Sequence, residues 1–269
     1  MAVTFEAASG LLAEVGQADS LALASQALPH GAYTTLRTYR GGRVLRLADH
    51  VRRLEESVAL EGQAAALDEE TLRRAVAQAL HLTHHPESRI RVTFAPPRLF
   101  VSIEPFVPMP ERLHRQGVVC VTLPLQRENP RAKDTHFIAT AAEAYGTLPA
   151  GAHEGLLTGQ DGAILEGLSS NFFGIKDGVL STEESRALPG ITRALVLEVA
   201  AGVLPVSRLA VRSQDLPTLA EAFITSASRG ILPVVRVDEV RIGDGHPGPT
   251  TRELMRRFEE LIEREAEPL

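Results

Sequence analysis

The sequence predicts a mixed α/β or α+β protein built in two parts. Of its 269 residues, 44% are hydrophobic and 23% are charged, which is close to ordinary globular usage and allows a substantial core. Strand-like and helix-like segments alternate along the chain, and residues 105–110 contain three prolines, which block both helix and sheet. We therefore expect a small N-terminal α/β domain at 1–115, an interdomain linker at 116–130 and a larger C-terminal domain at 131–269.

The N-terminal half is predicted to contain two β-hairpins and two helices. Residues 31–39 and 44–47 are strand-like and flank a Gly-Gly pair, which is typical of a hairpin turn. Asp49 is expected to cap a helix, because its carboxylate can accept the first N–H groups. The apolar stripe of that helix is formed by Val51, Leu54, Val58 and Leu60. The later elements are a helix at 68–82 and a hairpin of strands at 90–94 and 99–103.

The C-terminal half is predicted to alternate short strands with longer helices. The strands are expected at 155–157, 171–175 and 222–225, and the helices at 134–147, 192–203 and 249–263. The single cysteine, Cys120, lies in an apolar run and is predicted to be a small buried residue. One cysteine excludes an internal disulfide framework and any multi-cysteine metal site.

Charge and histidine spacing exclude several kinds of partner. With 28 Lys and Arg against 34 Asp and Glu, the net charge is −6, which disfavours binding to nucleic acid or to anionic membranes. The chain has no run of about 18 apolar residues and no basic-then-apolar start, so we expect a cytoplasmic protein. His81, His84 and His85 are interpreted as a polar helix end, and no metal site is predicted.

Four features of the second half could carry chemistry. Lys133 is predicted to open a helix, where it is either a solvated surface residue or a nucleophilic amine whose pKa the positive helix end lowers. Glu166 follows a short apolar run, and from the residues alone an exposed strand end is favoured. The helix start at Thr192 and the hydroxyl-rich turn at 226–230 are each an anion site or an ordinary polar segment.

Several motifs together resemble one enzyme family. The segments DGAILEGLSSNFF at 161–173 and LPGITR at 188–193 look like the double signature of the fold-type IV pyridoxal-phosphate enzymes, the class IV aminotransferases. Further matches, in the family's order, are at 31–37, 49–54, 127–133 and 223–234. The resemblance implies a D-amino-acid aminotransferase-like fold, with an α+β small domain and a larger α/β barrel-like domain. It also implies pyridoxal 5′-phosphate as cofactor and a homodimer.

The resemblance assigns roles to individual residues. Lys133 matches the catalytic lysine, which binds the cofactor as an aldimine and then moves the substrate proton. Glu166 matches the carboxylate that keeps the cofactor ring nitrogen protonated, and the phosphate cup matches Arg53, Ile191 and Thr192. The turn between phosphate and substrate matches Ser226, Ala227 and Ser228. Tyr33 and Arg229 are further substrate-site candidates, and a substrate carboxylate is expected to bind Arg37 or Arg91, with Arg89 as another candidate.

Four departures from the family pattern are visible. Phe137 stands where several relatives carry a tyrosine, Ala227 replaces a hydroxyl residue, and Arg229 is an added charge. Thr34 and Thr35 replace the Phe-Glu or Tyr-Glu of many relatives, which is more typical of the lyase branch. His50 and His136 are interpreted as structural.

Three functional hypotheses follow. The first is an aminotransferase that moves an amino group between an amino acid or primary amine and a 2-oxo acid. The second is an aminodeoxychorismate lyase, which uses the same lysine to release pyruvate and 4-aminobenzoate. The third is a binding protein without cofactor, which the presence of both Lys133 and Glu166 disfavours. We favour the aminotransferase.

Overall fold

The computed structural model describes residues 1–8 and 10–269, and these form two compact units. The first unit contains Met1–Val107, Ala132–Thr140 and Ile262–Leu269, and the second contains Pro108–Arg131 and Ala141–Leu261. Residues 132–140 and 262–269 therefore pack with the N-terminal unit, although the sequence grouped them with the C-terminal domain. No helix among the described residues is long and apolar enough to cross a lipid bilayer.

The first unit is built on a five-stranded antiparallel sheet in the order β2-β1-β5-β4-β3. Its strands are β1 (Ala2–Ala8), β2 (Leu11–Ala18), β3 (Ala32–Arg37), β4 (Ser88–Ala95) and β5 (Arg98–Pro105). Its helices are α1 (Leu21–Gln26), α2 (Leu47–Leu60) and α3 (Glu69–Thr83). The predicted hairpin at 90–103 is confirmed as β4 and β5.

Helices α2 and α3 bury apolar stripes in the core that also contains the inner residues of this sheet. Val51, Leu54 and Val58 are buried, as the helical spacing predicts. The second predicted helix is confirmed as well, because the Asp68 carboxylate accepts the Thr71 backbone N–H at 2.8 Å and so caps α3. The histidine-rich end is confirmed as the close of α3, where His84 is the C-cap.

The predicted strand at 44–47 is wrong. Val44 forms only an isolated bridge with Glu267, and Leu47 begins α2. The turn at the Gly-Gly pair does form, since Tyr39 and Arg43 make an antiparallel bridge across it. The second strand is replaced by the start of α2, where Leu47 is fully buried one turn before Val51. Asp49 therefore lies inside the first turn, where it pairs with Arg52 and caps nothing. Leu60 is also misassigned, since it is 51% exposed at the end of the helix.

The second unit contains a nine-stranded sheet in the order β11-β10-β9-β12-β13-β6-β7-β8, with β14 paired to β13. Its strands are β6 (Val118–Leu123), β7 (Ala152–Thr158), β8 (Ile164–Gly167), β9 (Asn171–Lys176), β10 (Val179–Ser181), β11 (Val206–Ser207), β12 (Glu221–Ser226), β13 (Gly230–Val237) and β14 (Val240–Arg241). The remaining helices are α4 (Glu111–Gln116), α5 (His136–Gly146), α6 (Ile191–Ala200) and α7 (Pro249–Glu265).

This sheet curls, and a short connection shows why. β8 and β9 lie five positions apart in the strand order, yet residues 168–170 alone join them. In a flat sheet the gap would be about 24 Å at a spacing of about 4.8 Å per strand, which so short a turn cannot span. The three strands predicted for this half are confirmed within β7, β9 and β12, and the three predicted helices overlap α5, α6 and α7, although α5 begins two residues later and α6 ends three residues earlier than predicted. Cys120 is fully buried in β6, as predicted.

Candidate active site

Lys133 lies in an extended segment that is held at both of its backbone polar groups. Its N–H donates to Ser57 Oγ at 3.0 Å, and its carbonyl oxygen accepts the Tyr33 N–H at 2.7 Å. The Nζ atom lies 4.7 Å from the centroid of the Tyr33 ring. The prediction that Lys133 opens a helix is wrong, because α5 begins three residues later at His136 and Asp134 instead bridges to Ala32 in β3. The lysine is therefore placed by β3 and α2.

A chain of polar groups lies on the same unit around α2. Arg53 Nη2 donates to Thr34 Oγ1, and Thr34 Oγ1 lies 2.6 Å from His50 Nδ1. Since a guanidinium only donates, the Thr34 hydroxyl oxygen accepts from Arg53 and also lies within hydrogen-bond distance of His50. Burial lowers the pKa of His50 well below its usual value, and the charges of Arg53 and Lys133 lower it further. The buried site thus favours the neutral form of the His50 imidazole.

Arg53 is a buried cation that forms no ion pair with a carboxylate among the described residues, although the charges of Asp49 and Glu56 act on it. Burial lowers the pKa of Arg53 to about 10, and the side chain is only slightly exposed. Among residues 1–8 and 10–269, no carboxylate lies within ion-pair distance of its guanidinium, and its Nε has no hydrogen-bond partner. A buried charge is costly unless it is paired, so this site is suited to an anionic ligand.

The three candidate arginines for a substrate carboxylate have different partners. Arg91 Nη1 donates to Leu21 O at 3.1 Å and to Ser25 Oγ at 2.9 Å, and Arg89 pairs with Glu104 at 2.5 Å. Arg37 is stacked between Tyr39 and Phe106, with its guanidinium carbon 4.1 Å and 4.3 Å from the two ring centroids. Its Nε is buried without a hydrogen-bond partner in the part of the chain that the structure describes. Arg37 is thus the best suited of the three to take a carboxylate.

Glu166 lies within β8 of the second unit, and its side chain is 3% exposed. The expectation of an exposed strand end is therefore wrong. Oε1 lies 3.0 Å from Arg127 Nε, and Oε2 accepts the Leu188 N–H at 3.1 Å. The nearby guanidinium and backbone dipole stabilise the negative charge of the carboxylate. Sequence reasoning assigned no role to Arg127, because it lies in an irregular segment without hydrophobic periodicity.

The start of α6 offers backbone donors. Gly190 is the N-cap and provides no side-chain hydrogen bond to the first turn, in which Ile191 and Thr192 are both buried. A Cβ atom at position 190 would lie 2.1 Å from Asn171 Oδ1, so only glycine fits beside this asparagine. Uncapped N–H groups and the helix dipole make this start suited to an anion.

The turn at 226–229 follows β12. Ser226, Ala227 and Ser228 are half-buried there. Arg229 does not extend into solvent: its side chain is 14% exposed and its Nη2 lies 2.9 Å from Glu154 Oε2. Sequence reasoning assigned no role to Glu154, which lies in β7 shortly before the apolar pair Leu156 and Leu157.

The predicted site residues thus form two groups, each within one unit. The first unit brings together Tyr33, Arg53 and Lys133, while Arg37 and Arg91 lie further along its strands β3 and β4. The second unit carries Glu166, Ile191, Thr192, Ser226, Ala227, Ser228 and Arg229. Phe137 is buried in the N-terminal part of α5.

Sequence comparisons identify a family. Residues 31–237 match the family described as amino-transferase class IV. The branched-chain-amino-acid aminotransferase of Escherichia coli (strain K12) is 33% identical over 120 residues, which are 44% of this chain and 39% of that protein. The enzyme of the same name from Pseudomonas aeruginosa is 30% identical over 164 residues, 57% of this chain and 53% of that protein. The aligned segment thus spans about two fifths of the length of the first curated relatives.

Solved structures of related proteins superpose on most of this chain. A crystal structure of the Escherichia coli branched-chain amino acid aminotransferase superposes with a TM-score of 0.74 at 25% identity, covering 86% of this chain and 84% of the other. Two structures of the T.th. branched-chain amino acid aminotransferase, one with pyridoxamine 5′-phosphate and one with 4-methylvaleric acid, give TM-scores of 0.80 and 0.79 at 21% identity. They cover 97% of this chain and 93% of theirs, and they show the same fold. The chain therefore belongs to the class IV aminotransferase family.

Proposed function

We propose that this protein is a pyridoxal-phosphate-dependent aminotransferase that moves an amino group between an amino acid and a 2-oxo acid. The observation that carries the proposal is a buried Arg53 without a carboxylate partner in the described chain, in the same unit as a Lys133 held at both backbone groups. An anionic cofactor that also forms a covalent bond to a lysine matches both features. The similarity to named aminotransferases supports the same reaction class.

The cofactor, when bound, supplies an aldehyde that takes up the amino group and a ring that accepts the electrons released as the substrate Cα–H bond breaks. Lys133 would hold the cofactor through its side-chain amine and, when released, would serve as the base that takes the proton from the substrate Cα. Glu166 is the carboxylate that would pair with the cofactor's ring nitrogen and favour its protonated form. Arg127 helps to hold Glu166 in its negative form.

Cofactor phosphate and substrate carboxylate are both anions, and we assign them different donors. Arg53, the N–H groups of Ile191 and Thr192, and the turn residues Ala227 and Ser228 are assigned to the phosphate. Arg37 is assigned to a substrate carboxylate, because its guanidinium is stacked and has no carboxylate partner among the described residues. Tyr33, Arg91 and Ser226 are retained as residues of the substrate site.

The names of the relatives favour branched-chain amino acids as donors, with a 2-oxo acid such as 2-oxoglutarate as acceptor. The lyase alternative is not favoured, since the related proteins are named aminotransferases. Thr34, which the sequence associated with the lyase branch, contacts Arg53 and His50, so its presence is explained by this contact.

A spectroscopic screen tests the proposal. Protein loaded with pyridoxal phosphate is mixed separately with L-leucine, L-glutamate, D-alanine and a primary amine, and the loss of the cofactor's visible colour is followed. A transfer enzyme loses its colour with at least one donor and regains it with 2-oxoglutarate. Formation of 4-aminobenzoate from aminodeoxychorismate, with no colour change in the screen, would instead establish the lyase.

Covalent attachment provides a readout that does not depend on turnover. Borohydride reduction of the loaded protein followed by peptide mass spectrometry is expected to place the cofactor on Lys133. The Lys133→Ala variant should bind the cofactor without becoming labelled. Label on a different lysine would contradict the assignment.

We also propose a homodimer and a cytoplasmic location, both of which the family resemblance supports. Light scattering coupled to gel filtration is expected to give twice the chain mass of 29.0 kDa. Fractionation of cells that produce the protein tests its location.

A further inference from the structure

A buried polar network in the second unit has no place in the functions described so far. At its centre is the carboxylate of Glu154 in β7, which is completely buried. Oε1 accepts the Tyr145 hydroxyl at 2.6 Å, and Oε2 accepts the Ser170 hydroxyl at 2.9 Å and pairs with Arg229 Nη2 at 2.9 Å. Because the carboxylate is fully hydrogen-bonded, this buried ion pair is compensated.

The arginine of this network also binds two turns. Its Nη2 donates to the Ser169 carbonyl oxygen at 3.1 Å and to Ser169 Oγ at 2.5 Å. Its Nε donates to Ser226 Oγ at 3.0 Å. Ser169 lies in the turn that follows Glu166, and Ser226 lies at the end of β12. Arg229 therefore joins a turn next to the predicted ring-nitrogen partner to the turn assigned to anion binding.

The direction of the bond to Ser226 has a chemical consequence. A guanidinium has donors and no acceptor, so Ser226 Oγ must accept from Arg229, and its own proton must point elsewhere. Within residues 1–8 and 10–269, no acceptor takes the proton of the Ser226 hydroxyl. The hydroxyl is half-buried, and its proton is left for donation to a ligand. A donor of this kind is suited to a carboxylate or a phosphate oxygen.

We propose that Arg229, held by Glu154, is a positioning residue that fixes the Ser226 hydroxyl as a hydrogen-bond donor to the substrate carboxylate. The inference rests on the proposed function, since it assigns Ser226 to the substrate. It also revises the role predicted for Arg229, whose guanidinium acts through Ser226 and does not bind the substrate itself. Arg229, which departs from the family pattern, is thereby assigned the function of positioning Ser226.

Binding of a short carboxylate tests the proposal without any turnover. Calorimetric titration of the loaded protein with 4-methylvalerate is compared with titration by 4-methylpentan-1-ol, which lacks the carboxylate. We expect Arg229→Lys and Ser226→Ala each to weaken 4-methylvalerate binding by about tenfold, as for loss of one charge-assisted hydrogen bond. The double variant should be no weaker than either single variant, because both changes remove the same bond. Alcohol binding should not change.

Arg186→Lys is the matched control, since Arg186 forms an ion pair with Asp161 in the same unit and is 43% exposed. It should bind 4-methylvalerate as the unaltered protein does. If Arg229→Lys does not fold, Glu154→Gln replaces it and is expected to act in the same direction. Additive losses, an equal loss for the alcohol, or unchanged binding in a folded Arg229 variant would overturn the proposal.

The aminotransferase activity and the role of Arg229 can be tested separately. Unaltered protein that binds 4-methylvalerate through Ser226 but transfers no amino group contradicts the aminotransferase and leaves the role of Arg229 intact. Protein that transfers amino groups with equal KM in the Arg229→Lys and unaltered forms contradicts the role of Arg229 alone. A rise in KM at constant kcat is the kinetic pattern expected for a contact made equally in substrate and transition state.

Discussion

The Nε atom of Arg127 lies 3.0 Å from Oε1 of Glu166, and both side chains are almost completely excluded from solvent. A buried carboxylate is stable only when its charge is compensated, and here a guanidinium and the Leu188 N–H compensate it. The position of Glu166 within a strand thus depends on a residue in a separate, irregular segment.

Arg127→Met should destabilise the protein because it leaves Glu166 buried without its cation. We expect the free energy of unfolding to fall by about 3–5 kcal/mol, the usual cost of removing one partner of a buried pair. Urea denaturation measures this change. Arg127→Met combined with Glu166→Gln should recover part of the loss, and equal stability of Arg127→Met and the unaltered protein would contradict the importance of the pair.

Glu166→Gln should separate cofactor binding from catalysis. The amide keeps the size of the side chain but carries no charge, so the cofactor ring is a weaker electron acceptor. We expect the amino-transfer rate to fall by roughly 10²- to 10³-fold, as for removal of one preorganised electrostatic partner. Borohydride labelling of Lys133 should persist. Stopped-flow absorbance measures the rate, and a variant with full activity would exclude the assigned role of Glu166.

Arg53→Met is expected to weaken cofactor binding without lowering the stability of the cofactor-free protein. Loss of the guanidinium should weaken binding of pyridoxal phosphate by about 10- to 100-fold and leave binding of pyridoxal, which lacks the phosphate, unchanged. Without cofactor, the same change removes a buried and unpaired charge, so the melting temperature should not fall. The neighbouring Arg52, which is 64% exposed, provides the control Arg52→Met, with no effect expected on either measurement. Equal weakening for both cofactor forms would argue against a phosphate at Arg53.

The stability of the protein should decrease in mild acid because of His50. Its pKa is lowered well below 6.5 in the folded protein, so the unfolded chain takes up a proton first as the pH falls. The stabilising contribution is therefore complete above pH 6.5 and is lost as the pH falls toward the lowered pKa. Urea midpoints measured across this interval should show a smaller pH dependence for His50→Asn. His246→Asn, at an exposed histidine, is the control, and identical slopes for the His50 variant and the unaltered protein would contradict the prediction.

Hydrophobic periodicity predicted which helices are present better than it predicted the residues at which they begin and end. The stripe at Val51, Leu54 and Val58 has the same period in the sequence and in α2, so the helix could be predicted from it. The prediction of a strand at 44–47 could not be corrected from local signals alone. Leu47 is buried in a core to which β4, β5 and α3 also contribute, and these segments are distant in the sequence. The long N-terminal strands β1 and β2 were not predicted, since β2 is largely exposed and lacks a clean alternation.

The candidate site was predicted from motifs and could not have been predicted from residue patterns alone. Glu166 resembles an exposed strand end until Arg127 is placed beside it, and the two are far apart in sequence. Arg229 and Glu154 pose the same problem: each looks like an isolated charge, and only the fold shows that they compensate each other. Electrostatic partners between distant segments leave no periodic signal, whereas apolar faces do.

The segment around Lys133 limits how its amine can travel. Since the Tyr33 and Ser57 bonds clamp the main chain on both sides of the residue, any displacement of the nitrogen must come from rotation about the bonds of the lysine side chain itself. The Lys133 side chain is thus flexible, whereas its backbone is held in place. Ser57→Ala removes one of these backbone hydrogen bonds. We expect this change to broaden the range of positions that the Lys133 amine samples.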